Sequence, residues 1–161
     1  MDSDVFLVPC DPGNFDRTVG SEVDLSEYSN RPPALSGMDK ARLWGAREGT
    51  NNQKFFEKMD SGDLLLFYQD DNYIGTGRVG TTFTDEEEWV STTFWDGAPS
   101  QLIYTVEDFT PVSVHKSVVN TVFDYKSDYN PEGLIRVAAN RLGDQSEAIE
   151  LALKRHTEKY A

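Results

Sequence analysis

The chain of 161 residues carries 28 acidic and 15 basic residues, which gives a formal net charge of −13. This length suits one domain, and a hydrophobic content of 38% is enough for a packed core, so extensive disorder is not expected. Such acidity is typical of a surface adapted to high salt and argues against non-specific coating of DNA, although a local basic cleft can still bind phosphates.

The N-terminal third is predicted to combine one strand, a long loop and one helix. Apolar residues 5–8 predict a short buried strand. Residues 11–37 are so rich in Asp, Gly, Asn, Ser and Pro that we expect a long loop. Thr50 and Gln53 have the spacing of a capping box, which predicts a helix from about Asn51 onward.

The rest of the chain is predicted to contain more strands than helices. Residues 63–68 and 73–79 have the pattern of a β-hairpin. Further elements are expected as strands at 102–106 and 111–114, a short helix at 118–125 and an amphipathic helix at 146–160. Because the strands do not alternate with helices, we predict an α+β fold, a small mixed β-barrel with peripheral helices, and not a doubly wound sheet.

Targeting signals are not evident in the sequence. No run approaches about 18 apolar residues, so we expect no membrane span. The start, MDSDVFLVPC, is acidic where a secretory signal is basic, and the prediction is a cytoplasmic protein. The single cysteine, Cys10, excludes an internal disulfide framework.

Residues 75–80 match the G-x-G-x-x-G pattern of dinucleotide-binding loops. The match falls inside a predicted strand, whereas a cofactor loop must follow a strand and open a helix. Gly75 and Gly77 are two positions apart, so they clear one face of the strand and allow a helix or a ligand to approach. We therefore expect no nicotinamide cofactor.

The sequence offers no recognisable catalytic constellation. The acidic run at 85–88 is expected to be a solvated loop, because four consecutive side chains cannot converge on one metal ion. His115 has no serine or cysteine partner in a recognisable context, and no G-x-x-x-x-G-K-[ST] sequence occurs, so this chain is not itself an NTPase. We predict a non-catalytic binding domain that uses no metal and no cofactor.

Aromatic residues from two separated segments are the strongest functional signal. Trp44 stands beside Gly45, which is too small to cover it, while Trp89, Phe94 and Trp95 cluster between two predicted strands. Aromatic faces from two segments can sandwich a planar ring, and stacking contributes roughly 1–3 kcal/mol per base. The alternative is that any one of these side chains fills the core.

A local concentration of cations surrounds the first tryptophan in this otherwise acidic chain. Phosphate binding requires such positive charge. The candidate phosphate-binding side chains are Lys40, Arg42, Arg47, Asn52 and Lys54. The alternative is an ordinary solvated face of a helix and a loop.

The order of these features resembles the EVE and YTH domains of the PUA-like superfamily. The resemblance rests on the strand Phe6-Leu7-Val8, the segment Leu43-Trp44-Gly45, the following helix, the two strands of the hairpin, and a tryptophan-containing segment before the last strands. Within that group the chain looks most like the N-terminal specificity domains of archaeal, especially haloarchaeal, McrB-like restriction proteins. Residues 123–125 and 129–137 look like the end of such a domain.

The resemblance implies a reader that flips a modified base of DNA into an aromatic cage, with N6-methyladenine favoured over a modified cytosine. Trp44 matches the first cage tryptophan, and either Trp89 or Trp95 matches the second, because spacing alone does not choose. The base-binding residues implied are Leu43, Trp44, Gly45, Trp89, Phe94 and Trp95.

The resemblance also implies a targeting module of a modification-dependent restriction system. Residues 1–145 would form the base-binding domain, and residues 146–161 a helix leading to the remaining domains or subunits of the complex. Two alternatives stay open. One is an RNA-binding PUA-like module that reads a modified or unpaired base. The other is a small-molecule-binding regulatory domain, which predicts a closed pocket with Arg47 and Lys54 turned away from it.

Overall fold

The computed structural model describes residues 3–97, 99–143 and 146–160. The strands are β1 (Val5–Pro9), β2 (Val23–Asp24), β3 (Lys40–Ala46), β4 (Leu64–Gln69), β5 (Asn72–Thr84), β6 (Leu102–His115) and β7 (Ile135–Arg136). The α-helices are α1 (Pro12–Thr18), α2 (Thr50–Phe56), α3 (Trp89–Phe94), α4 (Lys116–Val122) and α5 (Ser146–Tyr160).

The seven strands form one mixed sheet in the order β2-β3-β6-β5-β4-β1-β7. Strands β1 and β4 pair in parallel, and every other neighbouring pair is antiparallel. The α+β class and the mixed sheet with peripheral helices are confirmed. Within the described residues the sheet has two end strands, β2 and β7, so the predicted barrel is not closed.

Both faces of the sheet are covered, which explains the uninterrupted apolar runs in β1 and β4. Phe6 and Val8 point to one core cluster, whereas Val5 and Leu7 point to another. Successive side chains of a strand alternate between faces, so a strand buried on both sides is apolar throughout. Helices α1 and α2 pack on the first face, and α4 and α5 pack on the second.

The two strands predicted at 102–106 and 111–114 are one long strand, β6. It pairs with both β3 and β5, and its register against β5 shifts at three places. Asp108 within it has a left-handed backbone, with φ of 52°. The sequence suggested two strands because the polar residues around this irregularity resemble a turn.

The predicted long loop at 11–37 is wrong in part, because it begins with helix α1. Asp11 caps that helix by accepting a hydrogen bond from the backbone N–H of Asn14 at 3.0 Å, and Pro12 occupies the first turn. Asp followed by Pro is a helix-start signal, since proline at that position loses no hydrogen bond. Phe15 and Val19 then lie four residues apart and are both buried in the core.

The helix predicted near Asn51 exists as α2, but the capping box does not. Gly49 is the N-cap residue, and no side chain caps the helix. The preceding loop is held instead by Asn52. Its Nδ2 donates to the carbonyl of Arg47 at 3.0 Å, and its Oδ1 accepts from the backbone N–H of Leu134 at 3.1 Å.

The glycine-rich stretch lies inside strand β5, as predicted, and what it accommodates is a pair of side chains from β6. A Cβ atom on Gly75 would lie 2.5 Å from the ring of Phe109, and one on Gly77 would lie 2.5 Å from Val106. The absence of side chains at Gly75 and Gly77 therefore allows Phe109 and Val106 of β6 to pack closely against β5.

The acidic run at 85–88 is more ordered than a solvated loop. Asp85 is buried, and its Oδ2 accepts a hydrogen bond from the backbone N–H of Val90 at 2.8 Å, which ties the run to the start of α3. In the part of the chain that the structure describes, no group of three or more His, Cys, Asp or Glu side chains could hold a metal ion. No helix there is long and apolar enough to cross a membrane.

Helix α5 is part of the same packed unit as the sheet. Ile149 and Leu153 belong to the core cluster on the second face. Arg78 of β5 donates to Glu150 at 2.6 Å and to the Ser146 hydroxyl at 2.9 Å. These contacts attach the start of the helix to the hairpin.

Candidate nucleic-acid interface

A cavity of about 340 Å³ opens between β3, the start of α1, the residues after α3 and the chain before β7. This volume is near the lower end of the range for small-ligand pockets, roughly 300–1,000 Å³, and suits a ligand about the size of one base. It is lined by Val8, Pro9, Asp11, Asn14, Trp44, Gly45, Ala46, Arg47, Asn52, Trp95, Asp96, Ser100, Tyr104, Gly133 and Leu134.

Trp44 both fills the core and lines this cavity. It lies within strand β3, opposite Tyr104 of β6, and is only 7% exposed. Its ring meets Phe15 edge-on at a centroid distance of 6.1 Å. The two alternatives that the sequence left open, core or pocket wall, are therefore combined in one side chain.

Trp95 is the second tryptophan at the cavity. Its ring centroid lies 5.4 Å from that of Trp44, with an angle of 61° between the planes. The two indoles touch edge to face, which is a preferred geometry for aromatic pairs. They form two adjacent walls of a corner, and not the parallel sandwich that the sequence suggested.

A buried relay fixes the indole of Trp95. Its Nε1–H donates to the hydroxyl of Thr18 at 3.0 Å, and that hydroxyl donates to the carbonyl of Leu43 at 2.6 Å. Thr18 is fully buried at the end of α1. One hydroxyl thus links the ring to both α1 and β3.

The loop that carries Trp95 is also clamped to helix α1. Asn14 donates from Nδ2 to the carbonyl of Asp96 at 3.0 Å, and its Oδ1 accepts from the backbone N–H of Asp96 at 2.9 Å. Arg17 forms an ion pair with the Asp96 carboxylate at 3.0 Å. Sequence analysis missed these positioning residues, and the Asp11-Pro12 helix start was the signal available for finding them.

Three of the predicted base-binding residues lie elsewhere. Trp89 and Phe94 pack edge-on against each other and against Tyr28, so this aromatic triad closes on itself. Trp89 lines a separate groove together with acidic residues. Leu43 is fully buried in the cluster containing that triad, because neighbouring residues of a strand face opposite sides. Gly45 lines the cavity beside Trp44.

Of the predicted phosphate-binding residues, Arg47 and Asn52 line the cavity. Arg42 donates to the carbonyl of Val19 and lies over the ring of Phe109, 5.1 Å from its centroid, so its guanidinium is engaged in the fold. Lys40 and Lys54 are exposed and are not among the lining residues. Among the described residues that line the cavity, Arg47 is the one cation.

Two protic side chains at the cavity and the neighbouring groove are kept neutral by burial. Burial raises the pKa of the Tyr104 hydroxyl well above its usual value. Burial, followed by the nearby carboxylates of Asp11 and Asp16, raises the pKa of the Cys10 thiol to about 12. A thiol must ionise to act as a nucleophile, and burial of Cys10 disfavours that ionised form.

No protein-family model and no curated protein matches this chain, but solved structures do. The N-terminal domain of McrB from Thermococcus gammatolerans, solved bound to m5C DNA, has a TM-score of 0.69 and 18% identity, covering 94% of this chain and 99% of that one. The YTH domain of MRB1 from Zygosaccharomyces rouxii, in complex with N6-methyladenosine RNA, has a TM-score of 0.56 and 14% identity, covering 94% of this chain and 87% of that one.

This chain shares the fold of these two domains, so the fold predicted from the order of sequence features is confirmed. At these identities the likeness establishes the fold alone, and the role of the cavity has to be argued from its own residues.

Proposed function

We propose that this domain reads a modified base in DNA by taking the base out of the duplex into the cavity lined by Trp44 and Trp95. The observation that carries the proposal is the pair of indole rings, which meet at a cavity of about 340 Å³ and are held there by Thr18 and Asn14. Structures of similar fold contain methylated DNA or methylated RNA, and this favours the same class of ligand.

The energetic requirements fit a corner built from two large rings. Extracting a base costs a few kcal/mol, and stacking on an aromatic side chain returns roughly 1–3 kcal/mol. A methyl group adds about 0.8 kcal/mol for each carbon buried, so discrimination needs close contact on several sides. The relay and the clamp supply that rigidity before the ligand arrives.

Among modified bases, we propose N6-methyladenine ahead of a modified cytosine. A purine presents two fused rings to the two indole walls and so buries more aromatic surface than a pyrimidine. The two structural likenesses point to different bases, since one contains m5C and the other N6-methyladenosine. The order of affinity is therefore the part of the proposal that needs direct measurement.

The decisive experiment measures binding of the domain to duplexes that differ only at one base. The panel contains unmodified DNA, N6-methyladenine, 5-methylcytosine, RNA of the same sequence with and without N6-methyladenosine, and the free modified nucleosides, each at low and high salt. We expect the N6-methyladenine duplex to bind most tightly. Fluorescence of 2-aminopurine placed next to the N6-methyladenine should rise on binding if the modified base leaves the stack.

Other outcomes of the same panel identify the alternatives. Tighter binding to RNA than to DNA makes the domain an RNA reader, and binding of the free nucleoside as tightly as the duplex makes it a small-molecule sensor. Equal binding to modified and unmodified duplexes contradicts base reading. As a reader without chemistry of its own, the domain would serve as the targeting module of a restriction complex, with the nuclease and the NTPase on other domains or subunits.

A further inference from the structure

Tyr104 is a buried polar residue that lines the cavity. The side chain is 1% exposed, lines the cavity, and stands directly opposite Trp44 in the β3–β6 pairing. Its ring packs in the same core cluster as Trp44. In the described residues no hydrogen bond to the hydroxyl accompanies its burial.

The other polar side chains of the cavity that have been described are largely occupied. Asn52 uses both ends of its amide on the backbone, and Asn14 does the same with the backbone of Asp96. Asp96 is paired with Arg17. Arg47 is exposed and therefore suits the phosphates outside the cavity better than a base inside it. Tyr104 differs from these because its side chain is 1% exposed, lines the cavity, and makes no hydrogen bond with the described residues.

An unpartnered polar group costs free energy when it is buried, and about 90% or more of such groups in proteins are paired. The cost is recovered if a ligand supplies the partner. A phenol that stays protonated can both donate and accept one hydrogen bond, so it can match a ring nitrogen or an exocyclic group of a base. The raised pKa keeps Tyr104 in this neutral form at physiological pH.

We propose that the hydroxyl of Tyr104 hydrogen-bonds the edge of the base held in the Trp44–Trp95 corner and thereby contributes to the choice of base. This inference rests on the proposed function, since it assigns a recognition atom within the same site. The two indoles grip the faces of any planar ring, whereas a hydrogen bond at the edge distinguishes one base from another.

The test compares two buried tyrosines that are each changed to phenylalanine. Tyr104→Phe removes the hydroxyl at the cavity and keeps the ring. Tyr73→Phe is the matched control, because its hydroxyl is buried with no partner among the described residues and its side chain belongs to the cluster on the opposite face of the sheet. Affinity is measured for the preferred modified duplex and for a duplex with an abasic site at the same position.

For Tyr104→Phe we expect about a three- to tenfold loss of affinity for the modified duplex, the usual size for one hydrogen bond, and no change for the abasic duplex. Its midpoint of denaturant unfolding should be unchanged or higher, because no internal partner is lost. Tyr73→Phe should bind both duplexes like the wild type.

If wild-type protein prefers the modified duplex and Tyr104→Phe binds it equally well, the inference is overturned while the proposed function stands. If wild-type protein shows no preference, both fail. Should Tyr104→Phe not fold, wild-type protein labelled with 3-fluorotyrosine replaces it. The ¹⁹F resonance of Tyr104 should then shift on adding the modified duplex and that of Tyr73 should not, and a stationary Tyr104 resonance overturns the inference.

Discussion

The molecule has two aromatic groups of similar composition. Trp44 and Trp95 line a cavity, whereas Trp89, Phe94 and Tyr28 pack against one another. Trp44 and Trp95 meet at an angle and leave a corner open on a cavity. Trp89, Phe94 and Tyr28 make three edge-to-face contacts among themselves, so each ring is occupied by the other two. Aromatic residues thus mark a binding site only where their neighbours leave a ring face without a protein partner.

Cavity volume does not distinguish the region around Trp44 from the region around Trp89. The groove beside Trp89 also measures about 340 Å³. Its lining includes Asp85, Glu86 and Glu87, and the guanidinium of Arg31 there donates to four backbone carbonyls. The Trp44 cavity also has two carboxylates, Asp11 and Asp96, but Asp96 is paired with Arg17, and Arg47 there is exposed. The balance of charge is therefore less unfavourable to phosphates at the Trp44 cavity than at the groove beside Trp89.

The largest effect is expected from Trp44→Ala. Because Trp44 is a core residue as well as a cavity wall, the free energy of unfolding should fall by about 3–5 kcal/mol, and binding of the modified duplex should be lost. Denaturant unfolding and duplex titration measure the two effects. Trp44→Phe serves as the partial replacement and should keep the fold while weakening binding. Retention of full affinity in a folded Trp44→Phe variant would argue against a stacking role.

Trp95→Ala should separate binding from stability. Affinity for the modified duplex should fall by roughly 1–3 kcal/mol, the value of one stacked base, while the domain remains folded. Trp89→Ala is the matched control, and it should lower the unfolding free energy without changing affinity. The comparison of the two regions fails if Trp89→Ala weakens binding as much as Trp95→Ala does.

Thr18→Val tests whether the orientation of Trp95 matters. The change keeps the shape of the side chain but leaves the Trp95 indole N–H and the Leu43 carbonyl without their partner, so unfolding should become easier by about 1–3 kcal/mol. Affinity should fall less than in Trp95→Ala. Thr92→Val, at an exposed position on α3, is the control for the chemical change. An unchanged affinity in Thr18→Val would show that the relay serves stability alone.

Arg47→Gln should give the smallest loss of duplex affinity, and the loss should be the same for modified and unmodified duplexes. Loss of a phosphate contact weakens modified and unmodified duplexes equally and reduces the slope of log affinity against log salt by about 1. Lys54→Gln, on α2 outside the lining, should leave the slope closer to the wild-type value. If Arg47→Gln and Lys54→Gln reduce the salt slope equally, the result would support the broader phosphate-binding surface that the sequence suggested.

The strands and the last helix were predictable because their signals are local. The hairpin of β4 and β5 and the amphipathic α5 follow from apolar periodicity and a polar turn, and the structure places them within a few residues of the prediction. Helix α1 was not predicted because it lies in a polar segment, although the pair Asp11-Pro12 indicated its start. Closure of the barrel could not be predicted, because it depends on how the end strands β2 and β7 are placed.

For the candidate site, the sequence identified the aromatic residues but not their grouping. It named Trp44 and left Trp89 and Trp95 as equal candidates for its partner. These two tryptophans are six positions apart, and helix α3, which begins at Trp89, places Trp89 in the triad and Trp95 at the cavity. Likewise, of the cations near Trp44 in sequence, Arg47 lines the cavity, whereas Arg42 bonds the carbonyl of Val19 and lies over Phe109.

The sequence by itself determined the α+β class, the hairpin of β4 and β5, the last helix and the choice of Trp44 as a candidate site residue, because periodicity, turn residues and large aromatics are properties of neighbouring positions. Only the tertiary structure decided that Trp95 meets Trp44, that Thr18 and Asn14 hold it there, and that Tyr104 lines the same cavity. Those relations join residues that lie 51 to 82 positions apart in the chain, and the packing of α1 on β3 and the pairing of β3 with β6 are what bring them together.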